Sequence, residues 1–235
     1  MARPELIAHR GASRERPENT LPAFLRAIEL GAAAVELDVH GTRDHVVVVH
    51  HDPVPRASTA EAWLANRPIA SLSLKELKEF WVEPGIGIPT LASVLRAANG
   101  AYVYVEIKGR GIERQVVETI RAAKAADRCA VHGFDHRAVR RVREFAPELP
   151  TGILLASYLV DPVGALGAAG ARDYWIWWEH TDEALVEAIH GAGGRVLAWT
   201  VNDGGTAEAL ARMGVDGLCT DDVPLVRAAL EGLPT

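Results

Sequence analysis

Short strand-like apolar runs alternate with amphipathic helical stretches along the chain, and this alternation restricts the fold more than any other feature. Eight runs have strand character, at 5–9, 33–39, 102–108, 129–133, 152–155, 174–178, 196–200 and 215–219. A valine-rich run at 46–50 reads as the hairpin partner or continuation of the second strand. Leu21, Phe24, Leu25 and Ile28 recur at helical spacing, with Thr20 as the predicted N-cap, Pro22 in the first turn and Gly31 as the stop. Further helices are expected at 112–126, 182–192 and 206–213, and Thr90 is expected to cap one that runs to about residue 99. Residues 53–88 break the rhythm. They are rich in Pro and Ala, with one helix expected near 73–80, and read as a short insertion on a rim. Alternating βα units imply a parallel sheet, and eight of them imply a closed (β/α)8 TIM barrel: an α/β fold in one domain, 1–235, with the insertion after strand two. An open doubly wound sheet is the alternative. Its nucleotide-binding form needs G-x-G-x-x-G after strand one, which His9-Arg10-Gly11-Ala12 does not supply.

Composition excludes several classes of function. The net charge of −6 and the absence of a basic stripe argue against nucleic-acid partners. No run approaches the roughly 20 apolar residues of a membrane span. Met1-Ala2-Arg3-Pro4-Glu5 lacks the basic head and long apolar segment of a secretory leader, so a cytoplasmic protein without stable membrane insertion is expected. Cys129 and Cys219 read as reduced core thiols, since neither has a second Cys or His at ligand spacing. An acidic chain does not draw in an anionic substrate by its overall field, so an anion site here must carry its own positive charge.

The chemistry-bearing residues fall at strand ends, where barrels of this kind build their active sites. Glu36 and Asp38 are two positions apart and therefore share one strand face. Two inward carboxylates without compensation are costly, and a divalent cation removes that cost. Glu106 adds a third carboxylate, on the strand-three face that also carries Tyr102, Tyr104 and Lys108. Three oxygen donors completed by water suit Mg²⁺ or Ca²⁺ rather than zinc. His9 and His51 flank the cluster, and imidazole titrates near neutrality, so one can accept a proton while the other donates. His50 is expected to face away from His51. His40, His45, His132, His136 and His190 are read as structural or solvated. Arg10 can grip a phosphate oxygen with two donors. Three carboxylates, one divalent cation and a phosphodiester leave a charge of about −2, which Arg10 and Lys108 neutralise.

His9-Arg10-Gly11 through Pro17-Glu18-Asn19-Thr20, Val35-Glu36-Leu37-Asp38-Val39, Val49-His50-His51-Asp52 and Val105-Glu106-Ile107-Lys108 together resemble the signatures of the glycerophosphodiester phosphodiesterase family, which is related to phosphatidylinositol phosphodiesterase-like TIM barrels. Ala198-Trp199-Thr200-Val201-Asn202 and Gly217-Leu218-Cys219-Thr220-Asp221 resemble its last two strand ends. The resemblance implies catalytic roles for His9 and His51, metal binding by Glu36, Asp38 and Glu106, and substrate contacts from Arg10, Lys108 and Trp199. It also implies supporting places for Glu18, Asn19 and Asp52. The implied reaction, a step of glycerol and lipid metabolism, converts a glycerophosphodiester to glycerol 3-phosphate and an alcohol through a cyclic phosphate. Trp175, Trp177 and Trp178 join Trp199 as candidates for an apolar wall. Two departures fall on the substrate rim. Thr42-Arg43-Asp44-His45 replaces Thr-x-Asp-Gly, so that turn is expected to take a different shape. Pro53-Val54-Pro55-Arg56-Ala57-Ser58 replaces an arginine followed by paired threonines. The alternatives are lysophospholipase D- or C-like cleavage of lysolipids, which needs an exposed apolar mouth, and a catalytically silent phosphodiester-binding protein. The second would usually have lost a carboxylate or a histidine, and none is missing. An amidohydrolase-type metal barrel is disfavoured because strand one lacks a His-x-His pair.

Overall fold

The computed structural model describes residues 3–232. Met1 and Ala2, part of the segment read above as lacking a leader, lie outside them. In chain order the elements are β1 (Glu5–Ala8), α1 (Leu21–Glu29), β2 (Ala34–Gly41), β3 (Val47–Val49), β4 (Ser58–Thr59), α2 (Leu74–Leu77), β5 (Phe80–Glu83), β6 (Ile86–Gly87) and α3 (Leu91–Ala97). There follow β7 (Tyr102–Ile107), α4 (Glu113–Ala122), β8 (Cys129–Gly133), α5 (His136–Phe145), β9 (Thr151–Leu155), α6 (Pro162–Ala169) and β10 (Asp173–Trp177). The chain continues with α7 (Glu183–Gly191), β11 (Arg195–Trp199), α8 (Gly204–Met213), β12 (Gly217–Thr220) and α9 (Val223–Glu231).

Strands β1, β2 and β7 to β12 pair in parallel, and β1 bonds to both β2 and β12, which closes the ring. The fold is therefore the (β/α)8 TIM barrel, not the open sheet. β3 pairs antiparallel with β2, as the hairpin reading anticipated. Local chemistry starts the helices where the sequence indicated. Thr20 and Thr90 cap α1 and α3 through their side chains. Asp135, Asp161, Asp182, Asp203 and Asp222 do the same for α5 to α9, each accepting a backbone N–H of the first turn.

The strands are buried on both faces, so alternation shows as two separate cores rather than as a wet and a dry side. Val35, Leu37, Val39, Val103, Val105 and Val131 face the helices. Ile7, Ala34, Tyr104, Ala130, Leu154, Trp175, Leu197 and Cys219 fill the barrel. Glu36, Asp38 and Glu106 share the parity of Ala34 and Tyr104, so the same period that builds the inner core turns three carboxylates inward at its upper end. Gly152 admits the broad Trp175 ring beside it, because a Cβ there would lie 2.9 Å from the indole.

Residues 53–88, where the spacing predicts a single helix, also hold a small sheet. β4, β5 and β6 form a three-stranded antiparallel sheet over Val48, Leu64, Ile69, Leu72, Leu77 and Phe80. The helix anticipated near 73–80 is cut to α2, a four-residue turn held by a capping box between Ser73 and Glu76. Phe80 instead begins β5, where cross-strand pairing and burial outweigh the helical spacing. The turn of Thr42-Arg43-Asp44-His45 keeps the conformation that glycine would take, with His45 at φ 64°. Thr42 Oγ1 stabilises it by bonding Asp44 and accepting the Val46 N–H. The expected change of shape is thus absorbed by side-chain hydrogen bonds.

Candidate active site

The upper ends of the strands enclose a cavity of about 210 Å³ lined by His9, Arg10, Glu36, His51, Glu106, Lys108 and His132, with Leu154, Trp175, Trp199 and Cys219 as its apolar side. A larger cleft of about 840 Å³ opens at the opposite end around Glu5, Arg195 and Asp216. Several of its charged groups are engaged with each other, as in the Arg195–Glu5 pair at 2.8 Å, and it contains none of the carboxylates or histidines given a metal or catalytic role above. The smaller cavity is the one equipped for chemistry.

Each histidine is oriented by an aspartate. His9 Nδ1 lies 2.6 Å from Asp221 Oδ1, and His51 Nδ1 lies 2.7 Å from Asp52 Oδ1. With Nδ1 engaged in both rings, Nε2 is left for a substrate. Asp221 is itself fixed by Ser13 Oγ at 3.1 Å and Asn202 Nδ2 at 2.6 Å. Burial alone would raise its pKa, but the bond and charge of His9, with Asn202 and Ser13, outweigh this and hold it at about 2. Asp52 also pairs with Arg56, so the two dyads differ in their surroundings. His50 turns away as expected, accepting the Arg56 N–H at 3.0 Å.

Arg10 sits at φ 58°, and its backbone N–H donates to Glu36 Oε2 at 3.2 Å. The next residue, Gly11, lies so close to α1 that a Cβ would be 2.7 Å from the Ala23 carbonyl carbon. The Arg10 side chain spans Glu18, at 3.0 Å, and Asp38, with Nε 3.1 Å from Oδ2. Asn19 Nδ2 donates to Asp38 Oδ2 at 2.8 Å, and its Oδ1 accepts the Asp38 N–H. Lys108 Nζ lies 3.1 Å from Glu106 Oε1 and 3.8 Å from Asp38 Oδ1.

The carboxylates are out of electrostatic balance. Glu36 is held well above the usual carboxylate range, chiefly by burial and then by repulsion from Asp38 and Glu106. Glu106 is pushed up to about 7 for the same reasons, with Asp38 as the main repelling neighbour. Asp38 goes the other way. Burial opposes ionisation, but Arg10, Lys108 and the Asn19 hydrogen bond prevail and lower its pKa. Glu36 Oε1 and Asp38 Oδ1 are buried without a hydrogen-bond donor, and Glu106 Oε1 has only the Lys108 ammonium, 3.1 Å away. Under-coordinated carboxylate oxygens gathered beside one cavity fit a divalent cation.

The grouping also differs from expectation. Glu36, Glu106 and His132 each present a ligand atom within 4.8 Å of the others, while Asp38 stands beside them, engaged by Arg10 and Asn19. His132, expected to be structural or solvated, stands against these carboxylates. It is buried, its Nε2 lies 3.9 Å from Glu36 Oε1, and it stacks on Trp175 at 4.4 Å between ring centroids. Burial lowers its pKa to about 3, which keeps it neutral. Residue 132 lies opposite Glu106 once β7 and β8 pair, a register that the chain alone does not reveal. Asp221 and Asn202 lay within quoted motifs but carried no role until the barrel closed. Of the four candidate tryptophans, Trp175 and Trp199 line the cavity, Trp177 meets Trp199 edge-on at 5.3 Å, and Trp178 packs toward the outer core.

Residues 9–225 match the model of the glycerophosphoryl diester phosphodiesterase family. The chain is 33% identical to a glycerophosphodiester phosphodiesterase of Caldanaerobacter subterraneus over 232 residues, covering 92% of this chain and 93% of that protein. Among solved structures it is similar to an Oleispira antarctica phosphodiesterase in complex with the product sn-glycerol-3-phosphate (TM-score 0.89, 26% identity, 98% of each chain). It is likewise similar to a Thermotoga maritima glycerophosphodiester phosphodiesterase (TM-score 0.82, 26% identity, 97% of this chain and 99% of that one).

Proposed function

The chain belongs to the glycerophosphoryl diester phosphodiesterase family, and from that membership we propose that it hydrolyses glycerophosphodiesters to glycerol 3-phosphate and an alcohol by paired-histidine acid–base catalysis. The observation that supports this best is the pair of His–Asp dyads opening onto one cavity that also holds the Glu36 and Glu106 carboxylates. Glu36, Asp38 and Glu106 would hold the divalent cation, Mg²⁺ or Ca²⁺, with His132 against the same cluster. Bound there, the cation would neutralise charge on the phosphoryl oxygen and lower the pKa of the attacking hydroxyl.

Arg10 is placed to grip a non-bridging phosphate oxygen and Lys108 to add a second positive charge, once the diester draws them from Glu18 and Glu106. One imidazole Nε2 takes the proton of the glycerol 2-hydroxyl as its oxygen attacks phosphorus. The other protonates the departing alcohol oxygen as the phosphorus–oxygen bond breaks. The histidines then exchange roles while water opens the cyclic phosphate. Leu154, Trp175 and Trp199 offer the glycerol a dry wall. Glu18, Asn19 and Asp52 position Arg10, Asp38 and His51 in turn. The reading treats the chain as one barrel domain, with 53–88 as its rim insertion, acting in the cytoplasm on a small-molecule substrate.

Lysolipid cleavage is the second reading, because Phe134, 47% exposed, places an apolar ring at the mouth. Assaying glycerophosphocholine beside lysophosphatidylcholine separates the two. Turnover is expected to stop with a chelator and to fall by roughly 10²–10⁴ in His9→Ala and His51→Ala with the fold retained. Glu36→Gln is expected to lose metal-dependent activity. Full activity in any of these variants, or full turnover after chelation, would remove the assigned roles.

A further inference from the structure

Beyond Glu106, Lys108 and Phe134, which form a shared wall, the catalytic cavity adjoins a groove of about 750 Å³ whose walls also carry Arg110, Arg137 and Arg141 beside Glu113 and Asp135. On the reading above, glycerol occupies the inner, partly apolar pocket. The leaving alcohol then extends across this wall. We propose that the groove is a subsite for leaving alcohols that themselves carry a phosphate, so that this enzyme favours anionic head groups over choline.

The charges in the groove support this assignment. Arg141 is committed to the buried Glu113 through Nε and Nη2. Arg137 meets Asp135 only through Nε, at 3.3 Å, and its side chain is 87% exposed, so its terminal nitrogens remain free to donate. Arg110 is exposed and makes no ion pair among the described residues. Four basic side chains thus face three carboxylates, a small cationic excess beside the reaction centre of a protein whose overall charge is −6. Guanidinium groups grip phosphate oxygens with two donors at once, whereas a quaternary ammonium would be repelled.

The aromatic residues do not build a receptor for choline. An ammonium cage needs ring faces that converge and are free. Here Lys108 Nζ already lies over Phe134, 5.8 Å from its centroid. Phe134 and Trp177 each meet Trp199 nearly perpendicular, at 80° and 84°, so they pack on that ring rather than around a vacant centre.

The test compares kcat/KM for glycerophosphocholine and for 1,3-bis(glycerophospho)glycerol, in which each leaving alcohol carries the other phosphodiester. Both are measured at low and high salt, in the wild type and in Arg110→Glu/Arg137→Glu. Both substitutions are on the exposed surface and outside the catalytic set. The anionic diester is expected to be preferred by about tenfold at low salt, with the preference lost at high salt and in the double variant, while the choline diester is unaffected or improves. Equal or greater preference for choline overturns the subsite and leaves the phosphodiesterase reading standing. An equal loss on both substrates in the double variant also overturns it. Turnover of neither diester by the wild type overturns both readings together.

Discussion

His9 Nδ1 and Asp221 Oδ1 stand 2.6 Å apart across the seam where the barrel closes, although 212 positions separate them in the chain. The β1–β12 register, with Ala8 opposite Thr220, carries the two residues that follow these strands into contact. The last strand end therefore orients a side chain of the first. Asp221→Ala is expected to lower kcat by about 10- to 100-fold with KM nearly unchanged, because the imidazole loses its fixed tautomer and direction rather than its substrate contacts. Ser13→Ala and Asn202→Ala, which remove bonds to Asp221, are expected to give smaller losses of the same kind. A rise in KM alone would show that Asp221 serves binding instead.

Glu106 links stability to pH and to metal. Its folded pKa of about 7 stands above the ordinary 4.5. The native state therefore binds more protons than the unfolded state between these values. Stability from this group is complete below about pH 4.5 and is lost as pH rises through about 7. On the proposed reading, a divalent cation held by Glu106 would replace the missing protons. Thermal unfolding is expected to show a Tm increase of roughly 5–10 °C at a hundredfold excess of Mg²⁺ or Ca²⁺ over its Kd at pH 8. At the same concentration the increase should be clearly smaller at pH 5. An equal increase at both pH values would argue that the cation binds elsewhere.

Asn19 holds Asp38 from both ends, donating to Oδ2 and accepting the backbone N–H, and does so at φ 58° in a buried position. Asparagine tolerates this conformation better than most residues. Asn19→Ala is expected to cost about 2–4 kcal/mol in urea unfolding, from the lost bonds to a buried carboxylate and the strained φ. Metal affinity is expected to fall as well, since Asp38 is released. Unchanged stability would mean that Arg10 alone secures Asp38.

Gly152 and Trp175 give a packing test remote from the acid–base chemistry. A methyl group at residue 152 would meet the indole at 2.9 Å. Gly152→Ala is therefore expected to destabilise the barrel by about 1–3 kcal/mol through overpacking. Because Trp175 stacks on His132, the displacement should also weaken metal binding. Tm and cation affinity can be read on the same samples. A stabilised variant would show that the ring moves aside freely.

Residue spacing alone already determined a good deal. The run of βα units, the Thr20 and Thr90 caps, and the same-face placement of Glu36 with Asp38 depend on near neighbours in the chain, where 3.6- and 2-residue periods are visible without partners. His9, Arg10, His51 and Lys108 were legible because strand ends are where such barrels concentrate chemistry. What the linear chain could not decide was which distant residues meet. Phe80 left its helix for a strand because the insertion had a small sheet to complete. His132 came under Glu36 through the pairing of β7 with β8, and Asp221 reached His9 through ring closure. The groove beyond Phe134 exists because the β7–α4 and β8–α5 connections lie side by side. Each outcome depends on inter-strand register, and register is set by the whole barrel's packing rather than by any local segment.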